Sequence, residues 1–245
     1  MKNLDFLDFI ERTNKASDND ELYSIFKEAL LSIGYDQITY SIITDHISHG
    51  LKSRYGIVKE CPSDWFNHYF DSGYQHIDPR IRFGSVYKKT FIWNRIEDLV
   101  DLSKNEKLVL HELDSMGFHN GIAVPIFGVT GELAAVTASR SCKDADPDCN
   151  TLSMLQAIVN QFHLCYLAIN EDKQLSIGFS WNLTPREKEI LQWCGYGKSN
   201  WDISKILSIS ESGVEYHLKN IHKKMGVNNR ISAVMKAIKY GCIKL

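Results

Sequence analysis

The chain has 245 residues, 44% apolar and 24% charged, with a formal charge of −2, a make-up typical of globular proteins and a length that suits two ordinary domains. No run of 18 or more apolar residues occurs, which argues against a membrane-spanning helix, and Met1 to Ile10 carries Asp5 and Asp8 where a secretory signal needs an unbroken apolar stretch. The six cysteines are scattered without a C-x-x-C pair or metal-ligand spacing, so reduced thiols in the cytoplasm are expected and neither a metal nor a cofactor is called for.

Two amphipathic helices open the chain. Leu4, Leu7 and Ile10 share one face, and Leu22, Ile25, Phe26, Ala29, Leu30 and Ile33 another, with capping residues between Ser17 and Glu21. Gly34 ends the second helix, and the β-branched run 38–43 predicts a strand, followed by a second at 54–58. Residues 62–71 predict a helix with Trp65 and Tyr69 one turn apart. Asp78-Pro79 starts another, because Asp accepts from free N–H groups and proline fits the first turn. A helix at 104–115 precedes a hairpin, 121–127 and 132–139, around Gly128-Val129-Thr130-Gly131. A long helix at 150–170 keeps its apolar residues at helical spacing. Residues 1–170 therefore predict an α/β domain, a central antiparallel sheet with helices on its faces, and 171–182 a polar linker.

Residues 183–245 differ in charge and pattern. From residue 182 onward there are 11 Lys and Arg against 5 Asp and Glu, whereas the rest has 17 against 25. Thr184-Pro185 starts a helix that breaks at Gly195 and Gly197. A second helix shows Ile203, Ile206 and Leu207, a third at 211–225 has Val214, Leu218, Ile221 and Met225 inside, and a fourth at 230–240 carries Ile231, Val234, Met235 and Ile238. An all-α, four-helix domain is predicted. Two short helices joined by a tight turn, the second longer and basic, form the helix-turn-helix that lays a helix in the major groove. The outer face of the third helix bears Glu215, His217, Lys219, Lys223 and Lys224. Glu215 and Lys219 are placed to meet base edges, Lys223 and Lys224 phosphates. Pattern alone fits a solvated basic face on a helical bundle as well.

Between residues 61 and 93 lie nine aromatics, among them Trp65, Tyr69 and Trp93, together with Asp78. They read either as ordinary core or as the apolar sleeve and fixed polar groups of a ligand pocket. A phosphoacceptor receiver needs clustered acids after its first strand, and only Asp45 follows. Phosphate-binding glycine loops and a nucleophile-elbow G-x-S-x-G are absent from the sequence, so no enzyme is expected.

Glu187, Leu191, Gly197, Ile203-Ser204, Val214, His217, Asn220-Ile221, Lys224 and Gly226-Val227 resemble the helix-turn-helix of LuxR-type regulators. Trp65-x-x-x-Tyr69, Asp78-Pro79, Trp93, Gly121 and Pro125 to Ser139 are similar to the autoinducer-binding domain of LuxR-type quorum-sensing receptors, nearest in pattern to the LasR type. The resemblance implies an N-acyl-homoserine-lactone receptor that binds an inverted-repeat operator in double-stranded DNA as a homodimer. It implies that Trp65 donates to the lactone carbonyl, Asp78 accepts from the ligand amide and Trp93 packs on the lactone ring. Tyr69 then lines the pocket and Thr137 bonds the acyl carbonyl. One position departs: where the family often has a tyrosine donor to that carbonyl, this chain has Cys61. Ser41 and Thr39 are further pocket candidates. A ligand-independent or different-ligand regulator stays open as the alternative, with a hydrolase acting on the same lactone as a distant one.

Overall fold

In a computed structural model that describes residues 5–45, 51–128, 131–141, 146–170 and 181–245, alternate residues of three neighbouring strands go to two different places. The strands are β1 (Gln37–Ile42), β4 (His119–Phe127) and β5 (Leu133–Arg140). With β2 (Arg54–Glu60) and β3 (Phe91–Ile92) they form a five-stranded sheet, order β2-β1-β5-β4-β3, each pair antiparallel. Register sets Thr137 of β5 opposite both Thr39 of β1 and Ala123 of β4. Because strand side chains alternate, Ile38, Tyr40, Ile42, Ile122, Val124, Ile126, Ala134, Val136 and Ala138 share one face and fill the main core.

That core is closed by α1 (Phe6–Lys15), α2 (Asn19–Ser32) and α6 (Cys149–Asn170). Phe26 of α2 stacks on Phe162 of α6 with ring centroids 4.0 Å apart. Among the described residues α6 alone is long and apolar enough to cross a membrane, yet it buries seven residues in this core. Asp5 and Asp18 cap α1 and α2 through their carboxylates. The first helix corrects the sequence expectation: it buries Phe9 and Thr13, one turn apart, while Leu7 is 78% exposed and Leu4 lies outside the described residues. Thr13 is held there by its own bond to the Phe9 carbonyl and by Gln161 of α6, partners that helical spacing does not reveal.

The opposite face of the sheet is covered by α3 (Ser63–Asp71), α4 (Pro79–Tyr87), α5 (Lys104–Ser115) and two 3₁₀ turns, Tyr74–His76 and Trp93–Asp98. Trp65, Tyr69, Phe83, Phe91, Trp93, Leu113 and Phe118 form a second, aromatic core there. β3 and the 3₁₀ turns are too short for any periodicity to announce. Val129 and Thr130 of the predicted hairpin turn lie outside the described residues.

A separate compact unit contains α7 (Pro185–Gly195), α8 (Asn200–Leu207), α9 (Glu211–Met225) and α10 (Arg230–Lys239). Thr184 with Glu187 and Ser199 with Asp202 form reciprocal capping boxes, and Ser210 and Asn229 cap the other two helices. Gly226, at φ 61°, stops α9 in a left-handed turn. The core joins Ile190, Leu191, Ile203, Val214, Leu218, Ile221, Met225, Ala233, Val234 and Ala237. Three of the apolar residues read on the second and fourth helices are exposed. Ile206, Ile231 (73%) and Met235 (64%) face outward, because α10 packs through its small residues Ala233 and Ala237 beside Val234. Of the predicted linker, 171–180 lies outside the described residues. Its last two residues belong to this unit: Trp181 packs edge-on against Tyr240, and the Asn182 carbonyl accepts from Lys224.

Candidate ligand cavity and nucleic-acid interface

The sheet face turned to α3 and α4 encloses a cavity of about 100 Å³. Its floor is the alternate set of strand residues: Gln37, Thr39 and Ser41 of β1, Ala123 and Pro125 of β4, and Leu133, Ala135, Thr137 and Ser139 of β5. Its roof carries Cys61, Trp65 and Tyr69 from the α3 region, Asp78, Arg80 and Ile81 from the start of α4, and Trp93. All seven ligand-binding residues expected from the sequence therefore meet on one cavity.

Trp65 is buried with its ring 5.6 Å from that of Phe118 and 6.1 Å from Tyr69, and among the described residues no group accepts from its indole N–H. Trp93 can lie flat on β4 only because residue 121 is glycine. A Cβ there would fall 1.7 Å from the indole Cζ2. Ser41 is spent on structure as well, its hydroxyl accepting from the Gly56 N–H at 3.0 Å. Thr39 donates to the Cys61 sulfur at 3.8 Å. Burial pushes the Cys61 thiol up, against the Thr39 bond and the fields of Lys59 and Arg80 that favour the thiolate.

Asp78 does more than cap. Its Oδ1 accepts from the Arg80 backbone N–H at 2.8 Å, and its Oδ2 from the Tyr69 hydroxyl at 2.7 Å and Arg80 Nη2 at 2.6 Å. Arg80 Nε spans both oxygens at 3.0 Å. Four donors thus meet the roughly four lone-pair sites that a carboxylate offers. The ion pair is deeply buried, with side chains 9% (Arg80) and 2% (Asp78) exposed. Burial works against the Arg80 charge, but Asp78 outweighs it and the guanidinium is held more firmly protonated than usual. Tyr69 is pushed far up, first by burial and then by the Asp78 charge, so its hydroxyl stays a donor. Sequence reading missed Arg80, Gln37 and Ser139; the last two bond to each other at 2.8 Å across 102 residues of chain.

In the helical unit, α9 presents Glu215 and Lys219, exposed and paired at 3.1 Å one turn apart, with Lys223 also exposed and His217 half-buried. Lys224 is placed otherwise than expected. Its ammonium bonds both oxygens of the buried Glu187, at 2.7 and 3.0 Å, and the Asn182 carbonyl at 3.0 Å, so it ties α9 to the start of α7 and is not a free phosphate contact. Burial alone would raise the Glu187 carboxyl, but the Lys224 and Thr184 bonds more than offset it and hold it below the usual range.

An α/β domain with an interior apolar cavity, joined in one chain to a four-helix unit with an exposed basic helix, is the build of a transcription regulator that senses a small molecule. Comparison with known proteins agrees. Residues 18–166 match the autoinducer binding domain and residues 181–237 the luxR family of bacterial regulatory proteins. The transcriptional activator LuxR of Aliivibrio fischeri is 29% identical over 96% of this chain and 92% of its own. The quorum sensing-dependent regulator RpaR of Rhodopseudomonas palustris is 30% identical over 99% of this chain and 95% of its own. Escherichia coli SdiA superposes with a TM-score of 0.67 at 22% identity, over 98% of this chain and 100% of that one. The chain belongs to the LuxR family of transcription regulators, with an autoinducer-binding domain and a DNA-binding helix-turn-helix domain. The family is one of regulators and not enzymes, and its sensor domain takes a small-molecule ligand and not a cofactor.

Proposed function

We propose that the chain is a quorum-sensing receptor that binds an N-acyl-homoserine lactone in the cavity and, so loaded, binds an inverted-repeat operator as a homodimer. The observation that supports this best is the meeting of the Trp65 indole N–H and the Asp78 carboxylate on one apolar cavity, a donor and an acceptor for a lactone carbonyl and an amide. Trp65 donates to the lactone carbonyl, Trp93 covers the ring, and Thr137 on the floor meets the acyl side. The amide N–H reaches Asp78 by displacing one of its four donors, and the uncharged Tyr69 hydroxyl is released at least cost. Ligand then completes the second core and stabilises the folded sensor by mass action. On α9, Glu215 and Lys219 read base edges and Lys223 meets phosphate, with His217 beside them. The exposed Ile231 and Met235 of α10 supply the apolar contact between the two DNA-binding units.

The deciding measurement is the melting temperature of the full chain with a panel of acyl-homoserine lactones of different length and oxidation. An octanoylglycerol, the ligand in one SdiA structure, serves as an amide-free comparison. At a hundredfold excess over Kd, binding contributes about 2.7 kcal/mol, a rise of about 5–10 °C for a domain of this size. Asp78→Asn and Trp65→Phe are expected to remove most of that rise. No rise with any lactone overturns the lactone reading in favour of a ligand-independent regulator, and a rise with the glycerol ester alone in favour of an amide-free ligand.

A further inference from the structure

Arg80 is a buried charge beside a ligand cavity, and capping accounts for none of its guanidinium. Nε and Nη2 are taken by Asp78, and the planar group lies 4.9 Å from the centroid of the Trp93 ring. Its plane and position are thus fixed from two sides, one by a bidentate pair and one by an aromatic face. Nη1 takes no part in the Asp78 pair, and the side chain, 9% exposed, lines the cavity. A guanidinium N–H that the ion pair leaves over beside an apolar cavity is available to a ligand oxygen. Cys61 lines the same cavity, close enough for the Arg80 charge to act on its thiol. The resemblance to LuxR-type receptors implies a phenol donor to the acyl carbonyl at the position of Cys61. A thiol is a weak donor, and the Cys61 sulfur serves here as an acceptor, from the Thr39 hydroxyl. The cavity thus pairs a weak donor at Cys61 with a fixed, charged one at Arg80.

We propose that Arg80 sets ligand specificity in this cavity: it keeps its pair with Asp78 and donates from Nη1 to the acyl-side carbonyl of the bound lactone, the part that Cys61 cannot play. The assignment rests on the lactone reading given above. It deepens that reading by naming the donor and by predicting that donor and residue 61 compensate each other.

The test uses the full chain and the lactone that gives the largest melting shift with wild type. Arg80→Lys keeps a cation opposite Asp78 but has no second nitrogen to spare. It is expected to weaken binding about ten- to a hundredfold, the range for one hydrogen bond to a charged group. Adding Cys61→Tyr to Arg80→Lys is expected to restore most of that loss, which a merely structural role for Arg80 does not allow. Binding by Arg80→Lys equal to wild type overturns the assignment, and so does a double variant no tighter than Arg80→Lys alone. A measurement on wild type stands if the lysine variant does not fold. The infrared stretch of a ¹³C-labelled acyl carbonyl is expected lower in the complex than in water, and a value at or above that in water overturns the proposal. Lactone binding by wild type with an indifferent Arg80→Lys removes the role of Arg80 alone. No lactone binding by wild type removes the lactone reading and this inference with it.

Discussion

The two units put their polar chemistry on opposite sides of their cores. In the sensor, Asp78, Arg80, Tyr69 and Ser41 are turned inward against aromatic rings, and the face they share with the sheet is a cavity. In the helical unit Glu215, Lys219 and Lys223 are turned outward, and the interior is one apolar cluster closed by local capping boxes. The lesson is about coupling. A unit that keeps its binding groups inside cannot bind without altering its own packing, so occupancy and stability move together. A unit that wears them outside keeps its fold whether or not DNA is present.

The sharpest way to break that contrast is to fill the space under Trp93. Gly121→Ala forces the indole, and the Arg80 guanidinium stacked on it, out of place. Such overpacking costs about 1–3 kcal/mol. Calorimetry is expected to show a lowered sensor transition that no longer rises with lactone, beside an unmoved transition of the helical unit. A variant that keeps its ligand response shows that the cavity tolerates repacking and that the coupling is loose.

The helical unit has one buried charge of its own, and it tests the contrast from the other side. Glu187→Gln is expected to cost that unit about 1–2 kcal/mol, below the usual figure for a broken buried pair because Lys224 is one-third exposed. The sign of its pH dependence follows from the lowered carboxyl. Glu187 contributes fully above the ordinary glutamate pKa, and the contribution is lost as pH falls through its lower folded value. Acid titration of the isolated transition in wild type and Glu187→Gln checks this. Parallel acid curves for the two proteins contradict it.

The smallest effects on the fold belong to the outer residues of α9. Lys219→Ala and Lys223→Ala are each expected to leave stability within about 0.5 kcal/mol. Binding to a set of operator variants at several salt concentrations separates their roles. Lys219→Ala is expected to change the order of preferred sequences. Lys223→Ala is expected to weaken all of them evenly and to reduce the salt slope by about 0.9 for each protomer bound. An unchanged sequence order in both variants removes the base-reading role of Lys219.

How much of this was legible beforehand depended on the range of the interaction. Capping boxes, the Asp78-Pro79 start, the alternating strands and the Trp65–Tyr69 spacing are local rules, and each predicted its element within a residue or two. Arg80 was missed because an arginine in the first turn of a helix ordinarily reads as solvated; its burial depends on Trp93, which another element supplies. Lys224 was misplaced for a similar reason, since its partner Glu187 is 37 residues away and no helical period connects them. Ile231 and Met235 share an apolar spacing with Val234 and Ile238, but the small side chains of Ala233 and Ala237 allow the closer approach and leave both exposed. Periodicity tells which residues share a face; it is silent about what arrives to cover it.

The pleat of the sheet also divides labour by parity. On β1, β4 and β5 even-numbered residues such as Ile38, Val124 and Ala138 hold the domain together, and odd-numbered ones such as Thr39, Ala123 and Thr137 line the cavity. A change at one class leaves the other in register. Mutation can therefore explore new signals along the odd positions while the even ones preserve a foldable protein, which makes this sheet a natural template for retuning a receptor without rebuilding it.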